Sequence, residues 1–294
     1  MIKINIGNNL TFIKILLSPI TFIQNNFKAM VFLLILFLIF SPTNEEDFAQ
    51  NNLQQINLTG PIMEVTEILE DIDKAAKNDR IKGVLFVVDS PGGAVAPSIE
   101  IAYAIKRLKD KKPVVAYAKG TIASGSYYAS IWASEIIANP GSMVGSIGVI
   151  MQGSDISGLM NKLGISPQTV QAGKYKKVGT SDRKWTDYEK NELNKVINGT
   201  YDLFTADVAD ARGLDINKRD LYANAHIFTA SQAKDVGLID NVGVSYDAKQ
   251  KIIELSGVIE PIWNKEDKFE KIMKKLSATA AITLHTYFPS ITLR

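Results

Sequence analysis

The chain has 294 residues, 46% hydrophobic and 22% charged, with 33 basic residues against 31 acidic. That composition excludes a mainly disordered, collagen-like or many-span membrane protein, and no basic patch argues for nucleic acid. Cys is absent and His occurs only at 226 and 285, so disulfides, thiolate nucleophiles, Cys zinc sites and multi-His metal centres are excluded, and no cofactor is expected.

Charge is unevenly spread at the start of the chain. Residues 1–42 carry Lys3, Lys14 and Lys28 and no acid, while Glu45, Glu46 and Asp47 follow. Between them Ala29–Phe40 is an unbroken apolar run. As a helix this run reaches about 18 Å, short of the roughly 30 Å hydrocarbon core, and extending it back to Ile20 takes in Gln24, Asn25, Asn26 and Lys28. The one-sided flanks predict a cytoplasmic N-terminus and an anchor across the membrane, a removed signal peptide being the alternative. The expected organisation is residues 1–42 as cytoplasmic stretch and signal-anchor, 43–52 as linker, 53–243 as one α/β domain and 244–294 as a C-terminal extension.

Strands and helices then alternate. Leu53–Leu58 predicts a strand stopped by Gly60-Pro61, and Glu64–Lys77 a helix with Val65, Ile68, Leu69 and Ile72 on one face. Gly83–Val88 is apolar throughout, as a strand buried on both faces would be. Ser98–Leu108 predicts a helix, Pro113–Tyr117 a strand, Ser124–Ala133 a short helix, and Ile136–Ala138 a short strand. Ile156–Leu163 predicts a helix and Thr169–Gln171 a strand. Thr186-Asp-Tyr-Glu189 is a capping box opening a long helix to about Arg212. Ala230–Asp235 is a last helix, closed by Gly237. The alternation implies mostly parallel strands with a helical C-terminal portion.

Four segments are candidates for chemistry, and each taken alone is also an ordinary turn. Asp89-Ser-Pro-Gly-Gly93 follows a buried strand, and its glycines allow close backbone approach and outward N–H groups. Ser124-Gly125 sits between a buried strand and a helix start, where the Gly125 N–H is free to point at an oxyanion. The surrounding sequence is not Gly-x-Ser-x-Gly. Gly141–Val149 is rich in small residues, and Ser146 is a hydrogen-bonding partner for a neighbouring base. In Ala172-Gly-Lys-Tyr-Lys-Lys177, Lys176 follows the expected 169–171 strand and can turn inward. A lysine acts as general base only when desolvation or a nearby cation favours its neutral form. His226, the only His between Leu53 and Gly243, reads as structural, which makes a Ser–Lys pair more natural than a Ser–His–Asp triad.

Ser-Pro-Gly-Gly, Ala-Ser-Gly-x-Tyr, Gly-Ser-Ile-Gly-Val and Gly-x-Tyr-Lys occur in that order, followed by Ser231-Gln-Ala233 … Gly237-Leu-Ile-Asp240. Over Leu53–Gly243 this set resembles the single-length form of the signal peptide peptidase A (protease IV) family of membrane-bound serine peptidases. The resemblance implies a crotonase/Clp-protease-like fold. It places the nucleophile on Ser124, the general base on Lys176, the lysine-orienting hydroxyl on Ser146, and the oxyanion hole on Gly92, Gly93 and Gly125. One departure is Ser126, where the family more usually has Gly. The resemblance implies remnant signal peptides or other short hydrophobic peptides as substrates, a homo-oligomeric ring, and a single-pass protein of a bacterial cytoplasmic membrane with its catalytic domain outside. Grooves near Ser124 are expected to favour small or apolar residues, because Ala123, Tyr127 and Val144 flank the motifs. A related membrane-linked Ser–Lys peptidase acting on membrane proteins and an inactive scaffold are the alternatives. A scaffold has no need of Ser124 and Lys176 together.

Overall fold

The computed structural model describes residues 24–34 and 51–264. The chain divides into two compact units, one made of Met1–Ala49 with Lys265–Arg294 and one running Gln50–Asn264. In the first unit residues 24–34 form a helix, with Phe27, Phe32, Leu33 and Leu34 exposed. Among the described residues no helix is long and apolar enough to cross a membrane. The rest of the expected anchor run, 35–40, and the expected linker up to residue 50 lie outside the described residues.

The second unit is an α/β domain. Its strands are β1 (Leu53–Thr59), β2 (Gly83–Ser90), β3 (Val114–Ala123), β4 (Glu135–Ala138), β5 (Met143–Gly145), β6 (Ile227–Thr229) and β7 (Asn241–Val242). Spatial order is β1-β2-β3-β4-β7, with every neighbour parallel. β5 pairs with β3 in parallel and with β6 antiparallel. The helices are α1 (Thr66–Lys77), α2 (Val95–Lys109), α3 (Gly125–Ser130), α4 (Ser157–Lys162), α5 (Asp187–Arg212), α6 (Ala230–Asp235) and α7 (Ser245–Ser256), with a 3-10 turn at Ile216–Leu221.

The continuous apolar run of β2 is explained by the two-residue period of a strand. Val84, Phe86 and Val88 join one core with Ile72 and Ala75 of α1, Ile101 and Ile105 of α2, and Phe204 and Val208 of α5. Leu85, between them, joins a second core on the opposite face with Val115, Tyr117 and Ile137, closed by Ala248 and Ile252 of α7. Each fully buried Leu, Ile or Phe contributes roughly 1.5–3 kcal/mol. The compact unit therefore includes α7, which the sequence placed in a C-terminal extension from residue 244.

Three expectations change. α2 starts three residues earlier than Ser98 because Pro97 sits in its first turn, where the missing N–H has no partner to lose. β3 runs six residues past Tyr117. Its register with β2 jumps from Val88↔Ala118 to Ser90↔Ile122, a bulge in which the Thr121 N–H donates to Asp89 Oδ1 at 3.0 Å. A Cβ on Gly120 would lie 2.6 Å from the same oxygen, so the bulge needs glycine there. The expected strand at Thr169–Gln171 is absent: these residues are exposed, Val170 fully so, and no strand pairs with them.

Asp240 ties the end of the domain to its middle. It accepts the Ile136 N–H at 2.7 Å and pairs with the mostly buried Arg212 at 2.8 Å, while Tyr127 Oη of α3 donates to the Leu238 carbonyl at 2.8 Å. The Gly237-Leu-Ile-Asp240 motif thus fastens β4, α3 and the C-terminal end of α5 together. Asp240→Ala strands the Arg212 guanidinium and should cost about 2–3 kcal/mol. The check is a lower urea midpoint with an unchanged slope.

Candidate functional site

β3 ends at Ala123 and α3 begins at Gly125, so Ser124 alone makes the turn. It does so with φ 53° and ψ −124°, a conformation that costs a non-glycine residue roughly 1–3 kcal/mol. The sequence lacks Gly-x-Ser-x-Gly, yet the backbone forms the sharp strand-to-helix elbow that such a motif encodes. The strain is held from both sides. The Ser124 N–H donates to the Gly145 carbonyl at 2.8 Å, and the Ser124 carbonyl accepts from the Tyr128 N–H at 3.0 Å. Ser124→Gly removes the Cβ that opposes this turn, and should be about 1 kcal/mol more stable than Ser124→Ala. Thermal unfolding of the two variants side by side tests this.

The neighbouring glycines bring backbone donors close to Ser124. A Cβ on Gly92, whose φ is 93°, would sit 2.6 Å from the Gly125 nitrogen and 2.9 Å from Ser124 Cβ. A Cβ on Gly125 would sit 2.2 Å from Ser98 Oγ and 3.3 Å from the Gly93 nitrogen. The Gly92 N–H is occupied by Ser90 Oγ at 3.2 Å, and the Gly92 carbonyl accepts from Ile62. Gly92 therefore supplies space rather than a donor, unlike the sequence assignment. Among the described residues the N–H groups of Gly93 and Gly125 carry no hydrogen bond, and both residues line the same small pocket as Ser124.

That pocket has a volume of about 80 Å³. Its walls include Val95, Ser98, Tyr128, Val149, Ile150 and Phe204. Tyr128 stacks on Phe204 with ring centroids 4.4 Å apart, and its hydroxyl donates to Asp207 Oδ2 at 2.6 Å. Burial, reinforced by that carboxylate, pushes the Tyr128 phenol well up, so it stays a neutral donor. Sequence reasoning expected Ala123, Tyr127 and Val144 to shape the groove, but Tyr127 and Val144 are fully buried in the core. The wall residues Tyr128 and Phe204 were missed because the pocket forms only where α3 meets α5. Phe204 had shown only as one of several apolar positions on a long helix.

Ser146 follows the Gly145 that accepts the Ser124 N–H, and so lies one step from the elbow. It too has a positive φ, 51°, and donates its N–H to the His226 carbonyl at 2.7 Å. The His226 side chain is exposed, with its ring centroid 6.1 Å from that of Phe228. Lys176 lies in an exposed turn, its N–H donating to the Gly173 carbonyl at 3.2 Å. Among the described residues no hydrogen bond or ion pair joins the Lys176 amine to Ser124 or Ser146. One copy of the chain thus brings together Ser124, Gly93, Gly125 and Ser146, and does not add Lys176.

The segment that carries Lys176 is fastened to the start of α5. Tyr175 packs edge-on to Tyr188 at 5.7 Å, and Lys174 lies 4.9 Å from the Tyr188 ring. Arg183 pairs with Glu189 at 2.6 Å, and Glu189 also accepts the Thr186 N–H at 2.8 Å. The Arg183 guanidinium and the Thr186 amide hold the Glu189 carboxyl down to about 2. A carboxyl with a depressed folded-state pKa contributes stability that is present above its unfolded value near 4.5 and is lost as pH falls toward 2. Wild type should lose its melting-temperature advantage over Glu189→Gln between about pH 4.5 and pH 2, and a difference that stays constant with pH contradicts this.

The model of peptidase family S49 matches residues 106–259, more than half of the chain. The chain belongs to peptidase family S49. As a member it is assigned to the serine peptidases, hydrolases of peptide bonds. Relatives of this S49 chain include a putative protease of Methanocaldococcus jannaschii, 46% identical over 65% of this chain and 61% of that one. Others are a putative protease of Synechocystis, 34% identical over 71% of this chain and 76% of that one, and a putative signal peptide peptidase of Enterococcus faecium, 32% identical over 74% and 69%. The match spans less than two thirds of the archaeal relative's length. Among solved structures, a membrane-bound stomatin-specific protease aligns with a TM-score of 0.46 and 17% identity, over 69% of this S49 chain and 84% of that one.

Proposed function

We propose that the chain is a membrane-anchored serine endopeptidase in which Ser124 attacks the peptide carbonyl and Lys176 takes its proton. The carrying observation is the elbow: Ser124 stands on a strained strand-to-helix turn beside two unbonded backbone N–H groups, those of Gly93 and Gly125. Serine is a weak nucleophile until a base removes its proton. The attack converts the trigonal carbonyl to a tetrahedral oxyanion, and two preorganised amides near that oxygen stabilise it, each typically by about 10²–10³ in rate. The same proton then passes from the amine to the leaving nitrogen. Ser146, one residue beyond the elbow's Gly145 anchor, orients the lysine.

Substrates in this reading are remnant signal peptides or other short hydrophobic peptides. The small, largely apolar pocket beside Ser124 supports small or apolar side chains at the cleaved bond. The Ala29–Phe40 run with lysines before it and acids after it supports an anchor in the cytoplasmic membrane, with the peptidase domain outside. The base comes from an adjacent copy in a homo-oligomeric ring. Lys176 is exposed in the single chain, and the segment leading to it exposes Ile150, Leu159, Leu163, Ile165 and Val170, more apolar surface than a solitary chain usually leaves bare. Burial against a neighbour would supply the desolvation that a lysine base needs.

Ser124→Ala and Lys176→Ala should each lower peptide hydrolysis by about 10³-fold or more while leaving the fold intact. Mixing the two inactive variants should restore part of the activity, since some sites then pair an intact Ser124 with an intact Lys176. Full activity in a folded Lys176→Ala variant removes the lysine from the mechanism. Activity in a strictly monomeric Gln50–Asn264 unit removes the neighbour.

A further inference from the structure

We infer that Ser126 is a positioning residue for this hydrolysis: its hydroxyl holds the oxyanion donor of Gly93 in register with the elbow of Ser124 and Gly125. The inference rests on the reading of Ser124 as nucleophile and adds to it a residue that touches no substrate.

Ser126 is fully buried, so each hydrogen bond it makes has to offset the desolvation of its hydroxyl. Its Oγ accepts the Ala123 N–H at 2.8 Å and donates to the Ser90 carbonyl at 2.6 Å, with the Ala123 carbonyl at 2.9 Å. One side chain therefore bridges the last residue of β3 and the last residue of β2. This is where the ladder between those strands runs out. Its register has already jumped at the Asp89 bulge, and Pro91 has no N–H with which to continue it.

Beyond Ser90 the chain turns at once through Pro91 and Gly92 to Gly93. That turn is held by the Gly92 N–H on Ser90 Oγ at 3.2 Å and by two backbone bonds to Ile62, and Ser90 is its root. Ser90 is itself fully buried, so water does not replace a bond lost there. On the other side, Ala123 is the residue immediately before the strained Ser124. The Ser126 hydroxyl thus links the two backbone segments that carry the two donors: its Ala123 contact is adjacent to Ser124, and only Pro91 and Gly92 separate its Ser90 contact from Gly93. Ser130 Oγ donates to the Ser126 carbonyl at 2.8 Å and fixes Ser126 on α3 in turn. Removing the hydroxyl unties the Gly93 turn from the end of β3 and lets it shift against Ser124 and the pocket walls. Misplacement of a catalytic donor by about an ångström costs on the order of 10²-fold in rate, whereas ground-state binding in the pocket does not depend on it.

The test uses the full-length protein in detergent, an apolar fluorogenic peptide, a peptide aldehyde of matching sequence and the corresponding peptide alcohol. The aldehyde adds to Ser124 and forms a hemiacetal oxygen at the oxyanion position, while the alcohol occupies the same pocket without one. Ser126→Ala is expected to lower kcat by about 10- to 100-fold, leave KM and alcohol affinity within about twofold, and weaken the aldehyde by the same factor as kcat. Ser126→Cys, close in volume and only a weak donor, should show the same split, and carries the test if the alanine variant does not fold. Unchanged kcat and aldehyde affinity overturn the inference alone, as does a parallel loss of aldehyde and alcohol binding, which marks a general structural role. Hydrolysis retained in Ser124→Ala, or an aldehyde that binds wild type no tighter than its alcohol, overturns the site reading and this inference with it.

Discussion

The site depends on β3 changing neighbours halfway along its length. Its first half pairs with β4 through Val115–Ala118, and its second half pairs with β5 through Thr121–Ala123. The strand must bend between them, and the bulge at Asp89 and Gly120 is where it bends. β5 then presents the Gly145 carbonyl to the Ser124 N–H. Without the change of partner β3 would continue beside β4, and the strained residue at its end would lose the bond that holds it.

Such a strained turn persists only where its surroundings over-determine it. Here they do so with small residues and backbone bonds. Gly92 and Gly125 let three chain segments approach closer than any Cβ permits, and among the described residues of α2 and α3 no charged side chain is buried. Serine hydroxyls buried there, those of Ser90, Ser98, Ser126 and Ser130, are each spent on a backbone carbonyl or amide. Hydroxyls can satisfy backbone groups in tight quarters without bringing a charge into the core, and so leave the field near the pocket to the free amides.

Much of this was legible in sequence where the cause is local. The GVLFVV run of β2 announced burial on both faces, and Thr186 with Glu189 announced the start of α5, because a two-residue period and a capping box are short-range features. What stayed hidden was non-local. β5 is three residues in a glycine-rich segment and becomes a strand only because β3 and β6 flank it. α7 reads as a moderately amphipathic stretch of a tail until the second face of the sheet, with Gly83 under Ile252, shows what it covers. In the site, the motifs pointed to Gly92, Gly93 and Gly125 around Ser124, and the structure puts Gly93, Ser124 and Gly125 on one small pocket. They did not separate Gly92 from Gly93, because the direction of an N–H depends on the Ile62 segment passing beside it. The expectation that Lys176 turns inward relied on a strand at 169–171, and an apolar-polar alternation of three residues does not make a strand with no edge to pair on.

The elbow and the lysine segment consequently differ in what fixes them. Ser124 is set by a parallel sheet and two apolar cores, interactions insensitive to pH and only weakly sensitive to salt. The turn that carries Lys176 is set by an aromatic pair at Tyr188, by Arg183 on Glu189 and by Lys177 on Asp182, at the edge of solvent. Charge-based anchors of this kind weaken in acid and in salt while the sheet remains folded. The elbow and its two unbonded amides therefore stay formed under conditions that loosen the segment carrying Lys176.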